Sequence, residues 1–219
     1  MTEIWDFLQS PPGSAAFNMA QDEALLQTVE KRGRPLLRVY SWEKPSVSFG
    51  YFLKFPTALA ENHDVVRRPT GGGVVYHVSD TTYTVVVPPG HALYTMKTAD
   101  AYCALHRAVA AAFESRPSLH GAPVQSPHGQ YECFQKPVQG DVMADGRKLA
   151  GGAQRRTKSG MLHQGSIAAK VSADQIRHGF QQALHLEFEM YEPADAERTL
   201  TEKLVREKYA TNAWNRYLR

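Results

Sequence analysis

A thiol and an amine fifteen positions apart, Cys133 and Lys148, are the side chains best suited to covalent chemistry in this sequence. A thiol can hold an acyl group as a thioester. A lysine beside it can stabilise the charge that develops as that thioester forms or breaks, and can lower the thiol pKa. That pairing points to acyl transfer rather than redox or metal chemistry. Cys133 follows an irregular loop and precedes a Lys- and Gly-rich hairpin, whereas Cys103 lies within an apolar helical stretch beside Tyr102 and reads as a small core residue. Lys148 follows Arg147, so on a strand the two point to opposite faces and one of them faces the packed or cleft side.

Glycines accompany this pair. Gly71, Gly72 and Gly73 follow Arg67 and Arg68, and three in a row exceed what a hairpin turn needs. Backbone amides there can approach an anion or a carboxylate, with arginine supplying charge. Gly151 and Gly152, with Ala153, and later Gly165, extend the theme, since strand glycines mark close approach of a ligand to the backbone. His77 and His163 are candidate general bases, with a hydrogen-bonded structural role as the alternative for each.

Several chemistries are excluded by pattern. There is no His-Glu-x-x-His or Cys-x-x-Cys spacing, so no zinc site is expected; no phosphate-binding loop precedes Gly146-Arg147-Lys148; and no Gly-x-Ser-x-Gly elbow appears. Arg155, Arg156 and Lys158 are too few to argue for nucleic acid. With 25 basic and 22 acidic residues the net charge is +3, and most charges solvate the surface. Two cysteines cannot make a disulfide framework, no apolar run is long enough for a membrane span, and the N-terminus lacks a basic-then-apolar signal, so a cytoplasmic protein is expected.

The elements that must position these residues are legible in outline. Residues 14–32 read as a helix with Ser14 as cap and Gly33 as stop. Strands are predicted at 36–42, 46–52, 65–68, 73–78 and 83–88, a second helix at 98–115, and loop from 117 to 130. Residues 141–144 and 147–150 form a hairpin through Asp145-Gly146, which suits a turn needing positive φ. A strand at 161–169 and helices at 173–184 and 195–209 complete the chain. The pattern predicts an α+β fold with a mixed, mostly antiparallel sheet flanked by helices, in one domain covering residues 1–219.

These segments resemble the lipoate–protein ligase and octanoyltransferase family, relatives of the biotin–protein ligases. Asn18-Met19-Ala20 with Asp22-Glu23-Ala24 is similar to the family's first helix, and Ser48-Phe49-Gly50-Tyr51-Phe52 to its second strand motif. Arg67 to His77 resembles the Arg-Arg-x-x-Gly-Gly-Gly segment bordering the acyl pocket. Gly146 to Gln154 resembles the segment with the family's invariant lysine, a role that falls on Lys148. Leu162-His163-Gln164-Gly165-Ser166 is similar to a further motif strand.

The resemblance implies an enzyme that places an octanoyl or lipoyl group on one lysine of a lipoyl domain, in a 2-oxoacid dehydrogenase E2 or the glycine cleavage H protein. Cys133-Phe134 followed by Pro137 is similar to the octanoyltransferases that take octanoate from acyl carrier protein through a cysteine thioester without a cofactor. The alternative is an ATP- and Mg-dependent ligase acting through lipoyl-AMP on free lipoate. Gly73 stands where cysteine transferases often carry Arg, and Gly140-Asp141 partly repeats a ligase Asn-Asp pattern. A biotin ligase is disfavoured because its adenylate loop is absent, and a non-catalytic lipoyl-binding relative is the remaining class. On the transferase reading Lys148 and the amides near Gly151-Gly152 meet the oxyanion, and the acyl chain lies in a slot by Gly71–Gly73.

Overall fold

The computed structural model describes residues 2–121 and 137–217. Cys133, and the part of the 117–130 segment beyond 121, lie outside the described residues. Two sheets organise the chain. The larger has eight strands, β1 (Glu3–Gln9), β2 (Leu36–Tyr40), β6 (Thr81–Val87), β7 (Ser118–Leu119), β8 (Val142–Ala144), β9 (Arg147–Thr157), β10 (Gly160–Ile167) and β11 (Leu186–Met190), in the order β11-β1-β2-β6-β10-β9-β8-β7. The smaller contains β3 (Ser46–Phe49), β4 (Asp64–Arg67) and β5 (Val74–His77) in the order β4-β3-β5. Three pairings, β1 with β11, β1 with β2 and β3 with β4, are parallel and the other six antiparallel, which is the mixed α+β fold expected.

Helix α1 (Ala15–Arg32) matches its sequence signals. The Ser14 side chain accepts a hydrogen bond from the Phe17 N–H, and Gly33 at φ 75° closes the last turn on the Val29 carbonyl. Leu25, Leu26 and Val29 of α1 pack on Leu36, Val86 and Leu162 across one face of the large sheet. On the other face, α3 (Thr98–Ala111) and α4 (Ala173–Leu184) cover a core containing Trp5, Phe7, Tyr83, Val85, Leu105, Val109, Ile176 and Phe180. Leu36, Arg38, Tyr40 on β2 and Leu162, Gln164, Ser166 on β10 share the α1 side. That side is therefore apolar at one end of the strands and polar at the other, and the polar end is where the site forms.

Several elements depart from expectation, among them β7, which forms where loop was expected. β1 was not legible because it lies between β2 and β11 with both faces covered, so Ile4-Trp5-Asp6-Phe7-Leu8 has no alternation. β11 was missed although Leu186-Glu187-Phe188-Glu189-Met190 alternates apolar and polar residues. The glycines 71–73 do not turn a hairpin: β4 and β5 flank β3 on opposite sides, so the segment crosses over the end of β3. Residues 205–209 leave the predicted last helix as a wider π-type turn after α5 (Asp195–Leu204). The Asp145-Gly146 turn holds: φ is 50° and 71° at its two central residues, as the tight hairpin between β8 and β9 requires.

Candidate active site

Lys148 reaches the site through a β-bulge. Val142 pairs with Ala150 but Met143 pairs with Lys148, so Leu149 is the extra residue. The bulge moves Lys148 off the face it would share with Ala150 and Gly152 and onto the face of Gly151 and Ala153. Arg147, one position earlier, is exposed, while Lys148 is buried. Lys148 Nζ donates to Asp141 Oδ2 at 2.9 Å. Asp141 is itself buried and well provided with donors: the Tyr102 hydroxyl reaches Oδ1 at 2.6 Å and the Val138 N–H reaches Oδ2 at 2.7 Å. The Gly152 N–H donates to the Tyr102 oxygen at 2.9 Å. Burial, reinforced by the Asp141 carboxylate, pushes the Tyr102 phenol far above its usual range, so it remains a donor at every working pH. A buried carboxylate with three donors holds the Lys148 side chain in one place, which is the requirement for aiming a charge-stabilising group.

Gly151 leaves room for the end of the Lys148 side chain. A Cβ at this position would collide with Lys148 Cε and Nζ. Gly165 similarly leaves room on the neighbouring strand, where a Cβ would enter the Tyr83 ring.

A narrow cavity, open to solvent, lies beside Lys148. Arg68, His77, Lys148, Gly151, Gly152, Ala153 and Gly165, all expected from sequence, line it together. Arg68 holds its rim: Nη2 donates to the Gly71 and Gly73 carbonyls at 2.7 and 2.8 Å, and Nη1 to the Ser48 carbonyl at 3.1 Å. Gly71, Gly72 and Gly73 thus contribute through their carbonyls and the φ of 88° at Gly72, and do not themselves line the cavity.

Two expected residues lie elsewhere. Arg67 is buried, and its guanidinium donates to the carbonyls of Tyr51, Leu53, Trp214, Asn215 and Tyr217, tying the C-terminal segment to β4. It faces away because successive strand residues alternate, so Arg67 and Arg68 could not both face the cavity. His163 points to the α3 side of β10, where Nε2 meets the Tyr83 hydroxyl at 3.0 Å; burial holds it neutral, well below the usual histidine range. Cys103 sits on α3 against Gly140.

Sequence reasoning left out Met19, Tyr40, Trp42, Ser48, Val75, Thr82, Gln164 and Ser166, which complete the lining, and Asp141 as the lysine's partner with Tyr102 behind it. The signal for Gln164 and Ser166 was available in the alternation of β10. Beneath the cavity, Asp22 on α1 accepts from Arg38 at 2.7 Å, Tyr40 at 3.0 Å, Thr84 at 2.8 Å and Gln164 at 2.7 Å, and both Asp22 and Arg38 are fully buried. Gln164 also accepts from Thr70 at 2.8 Å. This network fixes the floor.

Residues 14–202 match the Lipoyl protein ligase A/B catalytic domain. The chain belongs to that family. It is an acyltransferase or ligase, as the resemblance implied. The octanoyltransferase LipM of Oceanobacillus iheyensis is 34% identical over 194 residues, covering 83% of this chain and 70% of that protein. LipM of Bacillus subtilis is 28% identical, covering 97% and 98%. Among solved structures, a bi-partite lipoate protein ligase from Thermoplasma acidophilum, studied with its E2 lipoyl domain, superposes with a TM-score of 0.75 at 23% identity, covering 100% of this chain and 98% of that one. A lipoate-protein ligase A bound with ATP gives 0.77 at 22%, covering 98% of each. These two likenesses concern the fold. The chain is thus a protein-lipoylation enzyme that handles an octanoyl or lipoyl group.

Proposed function

We propose that this chain transfers an octanoyl group from acyl carrier protein to the target lysine of a lipoyl domain through a thioester on Cys133, with residues 1–219 acting as one catalytic domain. The observation that carries the reading is the anchored Lys148, its Nζ fixed by Asp141 at the wall of the cavity, in a chain 34% identical to an octanoyltransferase. The Cys133 thiolate attacks the carrier thioester carbonyl. Lys148 Nζ and the backbone around Gly151-Gly152 meet the developing oxyanion, and the carrier thiolate leaves and takes a proton. The lysine amine of the lipoyl domain then attacks the Cys133 thioester, forms the amide and releases the Cys133 thiolate; its proton passes to solvent. Alignment of the two substrates is the main remaining contribution. No metal or nucleotide enters these steps. Partners on this reading are acyl carrier protein and a lipoyl domain of an E2 subunit or the glycine cleavage H protein, in the cytoplasm; among the described residues no helix is long and apolar enough to cross a membrane.

A second reading, an ATP- and Mg-dependent ligase using free lipoate, is favoured by Gly73 and by the Arg68 guanidinium at the cavity. Incubating enzyme and apo lipoyl domain with octanoyl carrier protein alone, or with lipoate and ATP, separates the two. Modification in the first mixture, abolished in Cys133→Ala, supports the transferase; modification only in the second, retained in Cys133→Ala, replaces it with the ligase.

A further inference from the structure

The far end of the cavity is closed by polar groups that hold one another. Thr82 pairs with Ser166 across β6 and β10, and Ser166 with Gly151 across β10 and β9. Lys148 Nζ stands beside Gly151, so two strand spacings, about 9–10 Å, separate the lysine end from the Thr82 end. An extended octanoyl chain, seven C–C bonds of about 1.5 Å in zigzag, spans roughly 9 Å.

At the Thr82 end, the Trp42 indole stacks on His77 with centroids 3.9 Å apart and donates to the Thr82 hydroxyl at 2.8 Å. His77 Nδ1 faces Asp80 Oδ2 at 2.7 Å and so carries the proton, which leaves Nε2 to accept from the Ser48 hydroxyl at 2.8 Å. Asp80 Oδ2 also accepts from Ser166 at 2.6 Å and Thr82 at 3.2 Å. Burial drives His77 neutral. Burial also works against the Asp80 charge, but the donors around it outweigh this and hold its carboxyl below the usual range. A satisfied buried cluster of this kind resists displacement, because moving one member strands the others without partners.

Behind this cluster lies a second cavity of about 660 Å³, open to solvent and lined by Val74, Tyr76, Val78, Asp80, Ser166 and Ala168. Ser166 lines both cavities. Ser166 and Asp80, the carboxylate it donates to, therefore stand where the two cavities meet, with His77 and Trp42 beside them.

We propose that the Ser166–Asp80 pair is the stop that sets acyl-chain length, and that removing it lets longer chains pass from the first cavity into the apolar groove beyond. The proposal deepens the acyl-transfer reading and rests on it for the identity of the chain. Its physical basis is that an eight-carbon chain ends at this pair, while each further methylene must either displace a hydrogen-bonded carboxylate or stay unburied.

The test measures binding and transfer separately. Native mass spectrometry with free fatty acids of eight, ten, twelve and fourteen carbons reads the slot without turnover; transfer from the matching acyl carrier proteins reads it in catalysis. Wild type should favour eight over twelve carbons, and Ser166→Gly should raise the twelve-to-eight ratio of kcat/KM, and of binding, by about tenfold or more, given the usual worth of methylenes in an apolar pocket. Asp80→Ala, checked for folding by circular dichroism, should shift the ratio the same way. A gain toward long chains is an effect that a merely damaged fold does not produce. Equal binding of eight and twelve carbons by wild type, or an unchanged ratio in folded variants, overturns the stop. Absence of transfer for every chain length, with the binding series still ending at eight carbons, overturns the acyl-transfer reading and leaves the stop in place.

Discussion

On the α1 side of β10, Gln164 donates to Asp22 and accepts from Thr70; on the α3 side, its neighbour His163 has a Tyr83 partner on Nε2 and, among the described residues, none on Nδ1. Both residues are buried, yet the two faces solve burial differently. The α1 face buries charge, with Asp22 and Arg38 compensating each other and every acceptor on the carboxylate occupied. The α3 face buries neutral rings, His106, His163 and Tyr102, packed with centroids 4.0 to 5.6 Å apart, and His106 Nε2, His163 Nδ1 and the Gln154 amide have no hydrogen bond among the described residues. The difference teaches how one strand supports an active site. The charged face makes a floor of fixed shape under the cavity, and the neutral face supports the Tyr102–Asp141–Lys148 chain from behind while adding no competing charge near the lysine.

Breaking the charged face should have the largest effect. Asp22→Ala strands Arg38 as a buried unpaired charge and should cost about 3–5 kcal/mol in denaturant unfolding; a loss within 1 kcal/mol of zero would mean that the network is not the floor's main support. Next comes the lysine between the faces. Lys148→Ala should lower kcat for octanoyl transfer by roughly 10²–10³ with the fold retained, measured on apo lipoyl domain by mass.

The neutral face should show itself in pH. Burial depresses His106 to about 4, against roughly 6.5 unfolded. The unfolded chain therefore binds the proton first as pH falls. The stability from a neutral His106 is fully present above pH 6.5 and is lost progressively down to about pH 4, amounting to about 2 kcal/mol between pH 8 and pH 5. His106→Gln keeps a donor for the Gly140 carbonyl, which His106 Nδ1 now reaches at 2.7 Å, and should flatten the pH dependence of unfolding by that amount; an unchanged slope would assign it to other groups. The smallest effect is expected from Tyr102→Phe, which removes one donor from Asp141 and the acceptor of the Gly152 N–H, at about 1–2 kcal/mol of stability; its sharper readout is a fall in kcat with KM for the lipoyl domain unchanged.

The lysine was legible because Asp145-Gly146 fixes a tight turn and the glycines after it announce crowding. The Tyr102 hydroxyl behind its partner Asp141 was not, since Tyr102 lies forty-six positions upstream on α3, and neither periodicity nor motif reports which helix will cover a strand. Helix α1 was legible from its cap, stop and apolar face, but its buried Asn18 and Asp22 break the amphipathic pattern and make sense only with Arg38 opposite. β1 escaped because an interior strand with both faces covered lacks alternation, whereas β11 carries a clear one in Leu186-Glu187-Phe188-Glu189-Met190 and could have been found. Adjacent arginines at 67 and 68 looked equivalent in sequence; strand alternation separates one that ties down the C-terminal segment from one that borders the cavity.

The most direct measurement is the intact mass of the wild-type enzyme after mixing with octanoyl carrier protein and no nucleotide, followed by peptide mapping. An octanoyl adduct on Cys133, forming much more slowly in Lys148→Ala and discharged by apo lipoyl domain, is the predicted result. An unmodified thiol under these conditions, while the same enzyme modifies lipoyl domain only with lipoate and ATP, would contradict it.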